Sequence, residues 1–343
     1  ISLLLALTLA LSGCGQAEST EDTWSDAVRI EFSDDSVTVD GNAASADSAV
    51  YTENDIIFYL EGQGVTDGEG TEADAHAQAE ADAHTVVHIT QPGTYVLSGE
   101  LSAGQIAVDL GEGAETDPEA VVTLVLDGVD ITCTVAPAVM FYRVYECGST
   151  DGDAASWEVD TSTAGANIMI ADGTENTIRG SYVARIYDPE SVTLSEDGTE
   201  VEDAKKLHKY DGAFYSRMSM NVSGGAAGTG VLNIYGENEG LDTELHLTIQ
   251  SGVINIFSGN DGINTNEDGV SVTTINGGAL SIQVTGETGE GDGIDSNGYL
   301  VINGGTVTAA ACAQSADAGM DAAKGILING GTVTASGNML DNI

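Results

Sequence analysis

At 343 residues the chain is longer than one compact hydrophobic core usually serves, so either two domains or an elongated repeat architecture is expected. Forty-four glycines against four prolines, with 41% hydrophobic but only 5% aromatic residues, describe many short strands and tight corners rather than a bulky aromatic core. Lys+Arg 9 against Asp+Glu 55 gives a net charge of −46, which repels phosphate backbones and anionic surfaces and excludes nucleic acid as a partner.

The run from Ile1 to Leu11 is too short to span a bilayer as a mature helix but has the apolar character of a signal-peptide core. It ends in Leu11-Ser12-Gly13-Cys14, which resembles the bacterial lipobox, whose cysteine becomes the acylated N-terminus. Residues 1–14 are therefore expected to be a lipoprotein signal peptide with Cys14 as the lipidation site, and the mature protein to be extracellular and lipid-anchored at the cell surface. With Cys14 set aside, Cys133, Cys147 and Cys312 remain. Cys133 and Cys147 could pair, but without Cys-x-x-Cys spacing or a His cluster the expectation is free thiols rather than zinc ligands.

Residues 15–83 are rich in Ala, Ser, Asp, Glu and Gly, with weak apolar patches at Ala27 to Phe32 and Asp55 to Leu60. They read as an acidic, partly disordered tether, most linker-like from Glu69 to Asp82. Order is expected to begin near His84, where Val86 to Ile89, Gly93 to Ser98 and Val121 to Ile131 form short β-branched runs broken by Gly, Pro or Asp. No long window after residue 84 shows a helical period, so the body, residues 84–343, is expected to be all-β.

The C-terminal third repeats. Ile249-Gln250-Ser251-Gly252, Ile275-Asn276-Gly277-Gly278, Ile302-Asn303-Gly304-Gly305 and Ile328-Asn329-Gly330-Gly331 follow at offsets of 26, 27 and 26 residues. That period fits a solenoid of stacked coils, each about 20–30 residues, with inward Ile, Val and Leu and with Gly at the bend. A leucine-rich repeat would need a Leu ladder that is missing, and propellers have longer periods. The chain stops at Ile343 inside a coil, so further coils are expected beyond it.

A second motif recurs once per coil: Glu239-Gly240-Leu241-Asp242, Asp261-Gly262-Ile263-Asn264, Asp292-Gly293-Ile294-Asp295 and the eroded Ala318-Gly319-Met320-Asp321, in which Asp317 can stand in for the lost acid. Met339-Leu340-Asp341 is a partial fifth copy and Asp211-Gly212-Ala213 an earlier cousin. Stacking would bring these acids to about 5 Å of one another, where carboxylates repel unless a cation intervenes. Val231 to Ile343 holds 14 acidic residues against Lys324 alone. Calcium, which takes six to eight oxygens in irregular geometry, is the expected cofactor. The plainer reading is that Asp and Asn merely cap turns there.

Gly93-Thr94-Tyr95-Val96-Leu97-Ser98-Gly99, Leu124-Val125-Leu126-Asp127-Gly128-Val129, Ala171-Asp172-Gly173-Thr174-Glu175-Asn176-Thr177-Ile178 and the two repeat motifs resemble a family of clostridial extracellular proteins that bind cellulose and acidic sugars. That family folds as right-handed parallel β-helices with bound calcium and is similar to β-helical pectate lyases. The resemblance, from about residue 84 to the end, implies a right-handed parallel β-helix and calcium ligands at Asp242, Asp261, Asn264, Asp292, Asp295 and Asp321, to which Asp317 and Asp341 are added as candidates.

Three functions are then in play. The first is non-catalytic, calcium-dependent binding of cellulose or acidic sugars such as polygalacturonate by a monomer, with calcium bridging protein and uronate. The second is a calcium-dependent lyase, which needs a basic residue to remove a proton; Lys324 is its candidate, although it also reads as a surface residue. The third is a structural stalk or adhesin. Lys205, Lys206 and Lys209 read as a solvated loop, His208 and His246 as structural, and Tyr215, Tyr235 and Tyr299 as core or corner residues first and sugar platforms second. Trp24 and Trp157 lie outside the repeats.

Overall fold

The computed structural model describes residues 24–46, 48–286 and 289–338. Cys14 with its lipobox, and Asp341 with the partial fifth copy, lie outside the described residues. Strand accounts for 46% and helix for 2%, as the absence of a 3.6-residue period implies.

Three parallel ladders carry the body. One runs Gly93–Leu101, Val122–Thr132, Ala166–Ile170, Met220–Gly224, Leu247–Ile249, Val272–Ile275, Tyr299–Ile302 and Gly325–Ile328. A second, in the same 17-stranded sheet, runs Glu175–Gly180, Val231–Gly236, Val253–Ser258, Ala279–Val284, Thr306–Ala310 and Thr332–Ser336. The third is an eight-stranded sheet whose later members are Val139–Arg143, Gly212–Ser216, Glu239–Thr243, Ile263–Thr265 and Ile294–Ser296.

Register is residue for residue. Ile249, Ile275 and Ile302 pair in one row and Leu241, Ile263 and Ile294 in another, and all six are buried. A strand in parallel pairing alternates faces, so one apolar residue per pass, at the repeat period, builds a continuous inner column. The second glycine of the Gly-Gly corner is required twice over. Gly278 has φ +85°, and a Cβ on it would stand 2.5 Å from the Gly252 carbonyl oxygen of the preceding pass.

The tether expectation fails from Val28 onward. Val28–Ser33 pairs in parallel with Gly93–Leu101, Ile30 against Leu97, and Val50–Glu53 pairs antiparallel with Thr85–Ile89. The apolar patches that looked weak supply Ile30, Phe32, Ile56 and Tyr59, all buried: in the strand Val28–Ser33 every second residue is enough to seat it on an existing sheet edge, and Ile56 and Tyr59 are buried from a segment outside the strands. Even the most linker-like stretch is fastened: Glu69 accepts hydrogen bonds from Arg185 (2.9 Å) and Tyr187 (2.7 Å), and Asp74 accepts one from Tyr182 (2.7 Å).

Those three partners belong to an insertion in which Val183–Tyr187 pairs antiparallel with Lys206–Tyr210. It places Lys206 and Lys209 beside the third ladder. No helix among the described residues is long and apolar enough to cross a membrane.

Candidate metal centre

The acid-rich corner is built by close approach of successive backbones. A Cβ on Gly240 would stand 2.5 Å from the Gly262 carbonyl oxygen, and one on Gly262 2.6 Å from that of Gly293. Only glycine therefore fits between the first acid of each copy and its inward Leu or Ile. The consequence is that Asp242, Asn264 and Asp295 stand in register on three consecutive strands.

Asn264 divides the row into two acidic groups. Asp211, Glu239 and Asp242 bring carboxylate oxygens within 4.8 Å of one another, and Asp292, Asp295 and Asp321 do the same. The first group is buried throughout and the second is half-buried. Glu239 Oε2, Asp242 Oδ2 and Asn264 Oδ1 are buried without a hydrogen-bond partner. Their other atoms are used: Asn264 donates to Glu239 Oε1 (3.0 Å) and Asn266 to Asp242 Oδ1 (2.5 Å). Three orphaned oxygens on neighbouring buried side chains of the acidic row are costly unless a cation completes them. The donor set, all hard oxygen, suits calcium rather than a thiolate- or imidazole-seeking metal.

Electrostatics point the same way. Burial, reinforced by the neighbouring carboxylates, pushes Glu239 and Asp242 well above the usual carboxylate range. Asp211 is also raised by burial, although Lys209 opposes the shift. In the second group burial lifts Asp292 to about 7 and Asp295 to about 6, and the adjacent Asp261 to about 8.

The remaining sequence candidates divide between the cluster and the turns. Asp261 Oδ1 accepts from the Asp292 amide (2.6 Å) and Asp317 Oδ2 from the Gly291 amide (2.7 Å). Both bind one pass to the next, which is the turn-capping role weighed for them; Asp292 also caps, accepting from the Ala318 amide, yet belongs to the second group. Asp211 and Glu239, which stand in motif copies but are not among the expected ligands, complete the first group. Their alignment with the Asp-Gly-Ile copies was the available signal.

Lys209 is not a solvated loop residue. Its Nζ lies 2.8 Å from Asp211 Oδ2, and although burial opposes its charge, the attraction of Asp211 prevails and its pKa is raised. Lys324 is exposed, and its backbone amide donates to the Gly298 carbonyl (2.7 Å). His246 is buried, accepts from the Val272 amide through Nδ1 (3.1 Å), and is pushed down to about 4 by burial, so it stays neutral. Tyr215 is buried and donates to Glu244 (2.7 Å); Tyr235 is exposed and stacked on Phe257. Cys133, Cys147 and Cys312 are free thiols, and burial raises Cys133 to about 12 and Cys147 to about 11. A third cluster, Glu53, Asp55 and His88, is more exposed, and His88 Nε2 already bonds Asp55 Oδ1 at 2.8 Å.

A family model described as carbohydrate-binding domain-containing protein matches residues 83–340. The chain belongs to that family. Both acidic groups and the four full copies of each repeat motif lie within the carbohydrate-binding match, whereas the strands before residue 83 lie outside it. No curated protein matches. The chain is also similar to a solved structure, the polysaccharide lyase-like protein from C. thermocellum in its gadolinium derivative, at 21% identity and a TM-score of 0.48, covering 92% of this chain and 97% of that one.

Proposed function

We propose that the protein is a non-catalytic, calcium-dependent polysaccharide-binding protein held at the bacterial surface by a lipid on Cys14, and that its ladders wind as a right-handed parallel β-helix. The observation that carries the calcium reading is the trio of orphaned oxygens on Glu239, Asp242 and Asn264. The two groups would then serve differently. Asp211, Glu239 and Asp242 are too deeply buried for a polymer to reach, so calcium there would stiffen the stack. Asp292, Asp295 and Asp321 are half-buried, and calcium held by them could share its charge with a uronate carboxylate or sugar hydroxyls. A shared cation also explains how so acidic a chain could hold an acidic glycan at all.

A lyase would need a lysine or arginine that gives up its proton near neutral pH. Lys324, the candidate for that role, is exposed, and Lys209, which faces the first acidic group, is held in its charged form by Asp211 and so makes a poor base. Equilibrium dialysis for calcium, followed by retention on polygalacturonate with and without chelator, tests the reading. Calcium uptake with chelator-sensitive retention is expected. Uptake without retention would leave a structural stalk, formation of an unsaturated uronide would mean a lyase, and no uptake would end the proposal.

A further inference from the structure

The repeat corner opposite in chemistry to the acidic one also lines a cavity. The residues that follow Ile249, Ile275, Ile302 and Ile328 are Gln250, Asn276, Asn303 and Asn329, one amide per pass. Each asparagine donates through Nδ2 to the amide oxygen of the preceding pass at 2.8 Å. That ladder uses one N–H and one lone pair per link, so every amide keeps a second N–H, and all four are exposed to solvent. Successive amides repeat at about the 4.8 Å strand spacing.

The loop carrying Trp157 walls this ladder into a cavity of about 480 Å³, which Thr274 also lines. The wall is fixed. Thr161 is buried, its Oγ1 lies 2.7 Å from both Asn221 Oδ1 and Thr248 Oγ1, and its carbonyl accepts from Asn221 Nδ2 at 2.8 Å. Trp157 is nevertheless 47% exposed, and its ring meets Tyr299 in a T-shaped arrangement with centroids 6.1 Å apart. A large aromatic ring left open over a row of unsaturated amides, on a rigid wall, is an arrangement with no stabilising purpose of its own.

We infer that the Trp157 cavity is a second glycan-binding site, specific for uncharged sugar rings and independent of calcium, in which the indole takes the C–H face of a sugar and the amide ladder takes its hydroxyls. Hydroxyls both donate and accept, and a primary amide answers both, with its N–H groups and its carbonyl oxygen. The charge of the lining decides against an acidic sugar: Glu158 and Asp160 are its charged residues and no basic residue lines it. This site lies on the first ladder, whereas the acidic groups lie on the third, so the two would act separately. The inference adds to the polysaccharide-binding reading but does not need its calcium.

The test uses the full chain with cellohexaose and mannohexaose as uncharged probes and hexagalacturonate as the charged one, by calorimetric titration in calcium and in EDTA. At least one uncharged hexasaccharide should bind equally in both buffers. Trp157→Ala should weaken it by at least tenfold and Trp157→Phe by less than threefold, while hexagalacturonate binding in calcium stays unchanged in both variants. Unchanged thermal unfolding of the variants separates a lost platform from a lost fold. The inference is overturned if neither uncharged probe binds, if EDTA abolishes their binding, or if Trp157→Ala binds as the parent does. Calcium-dependent hexagalacturonate binding alone would leave the calcium reading standing without this one.

Discussion

Lys209 Nζ lies 2.8 Å from Asp211 Oδ2, which joins the antiparallel insertion to the acidic row at its first carboxylate. One lysine faces three clustered acids, so it neutralises part of their charge and also repels any cation that approaches. Lys209→Gln should therefore act in two directions. In chelator the variant should be less stable by roughly 1–2 kcal/mol, a value discounted from that of a fully buried pair because the Lys209 side chain is 35% exposed. Calcium should bind it more tightly, by about fivefold, equivalent to roughly 1 kcal/mol. Paired urea titrations with and without calcium measure both effects, and a loss of stability with weaker calcium binding would contradict the assignment.

Asp242→Asn reverses the sign of the first effect. Asp242 is fully buried beside Asp211 and Glu239, and one of its oxygens has no partner. Replacing it with a neutral side chain of the same shape removes an acid that burial and its neighbours make costly to ionise, so at a pH high enough to ionise the row the calcium-free protein should unfold at a higher temperature than the parent. The calcium-induced rise in stability should shrink, by about 1.4 kcal/mol for each tenfold loss of affinity. Differential scanning calorimetry in EDTA and in calcium gives the two midpoints. An ordinary core residue would lose stability in both buffers.

The repeat region was legible because its periodicity is imposed by geometry. Ile275, Gly278 and Asp292 each occupy a place that recurs once per pass, so spacing alone located the corners and the inner column. The acidic row was half legible. Asp242, Asp292 and Asp295 stand out from copy to copy, whereas Asp211 precedes the regular repeats and Glu239 breaks the Asp-Gly pattern, yet both meet Asp242 in space. Residues 28–53 were misread because sheet edges accept strands of low apolar content: Ile30 and Phe32 suffice where a free-standing element would need more. Lys209 and Trp157 both sit in non-repeating insertions. Lys209 stands only two residues before Asp211, but the pair gains its significance from Asp211 belonging to the acidic row, which spacing did not show, and Trp157 meets Tyr299 through a long-range contact that no local pattern encodes.

Gly278→Ala tests the corner geometry. Its φ of +85° costs an alanine about 1–3 kcal/mol, and the added methyl would meet the Gly252 carbonyl oxygen at 2.5 Å, so the loss should reach the upper part of that range. Gly277→Ala is the control, since a Cβ there meets its nearest atom, the Gln250 carbonyl oxygen, at 3.0 Å and its φ lies outside the left-handed range. Its loss in a denaturant titration should be visibly smaller. Equal losses would mean that the second glycine is not the one the bend depends on.

The pH dependence of stability follows from the raised carboxyls. Burial, then the neighbouring acids, lift Asp261 to about 8, Asp292 to about 7 and Asp295 to about 6, against roughly 4 in the unfolded chain. Between those limits the folded protein binds more protons than the unfolded one, so the derivative of unfolding free energy with pH is negative. Calcium-free protein should therefore be most stable near pH 4–5 and lose stability steadily as pH rises toward 8. Calcium replaces the protons: its binding should release them, strengthen as pH rises from 6 to 8, and flatten the stability profile across that window. Urea midpoints at half-unit steps of pH in EDTA and in calcium, with proton release measured in two buffers of different ionisation enthalpy, check each part. A calcium-free profile that rises with pH over this range would show that these carboxyls are not held protonated by burial, and the acidic row would then offer no pre-formed demand for a cation.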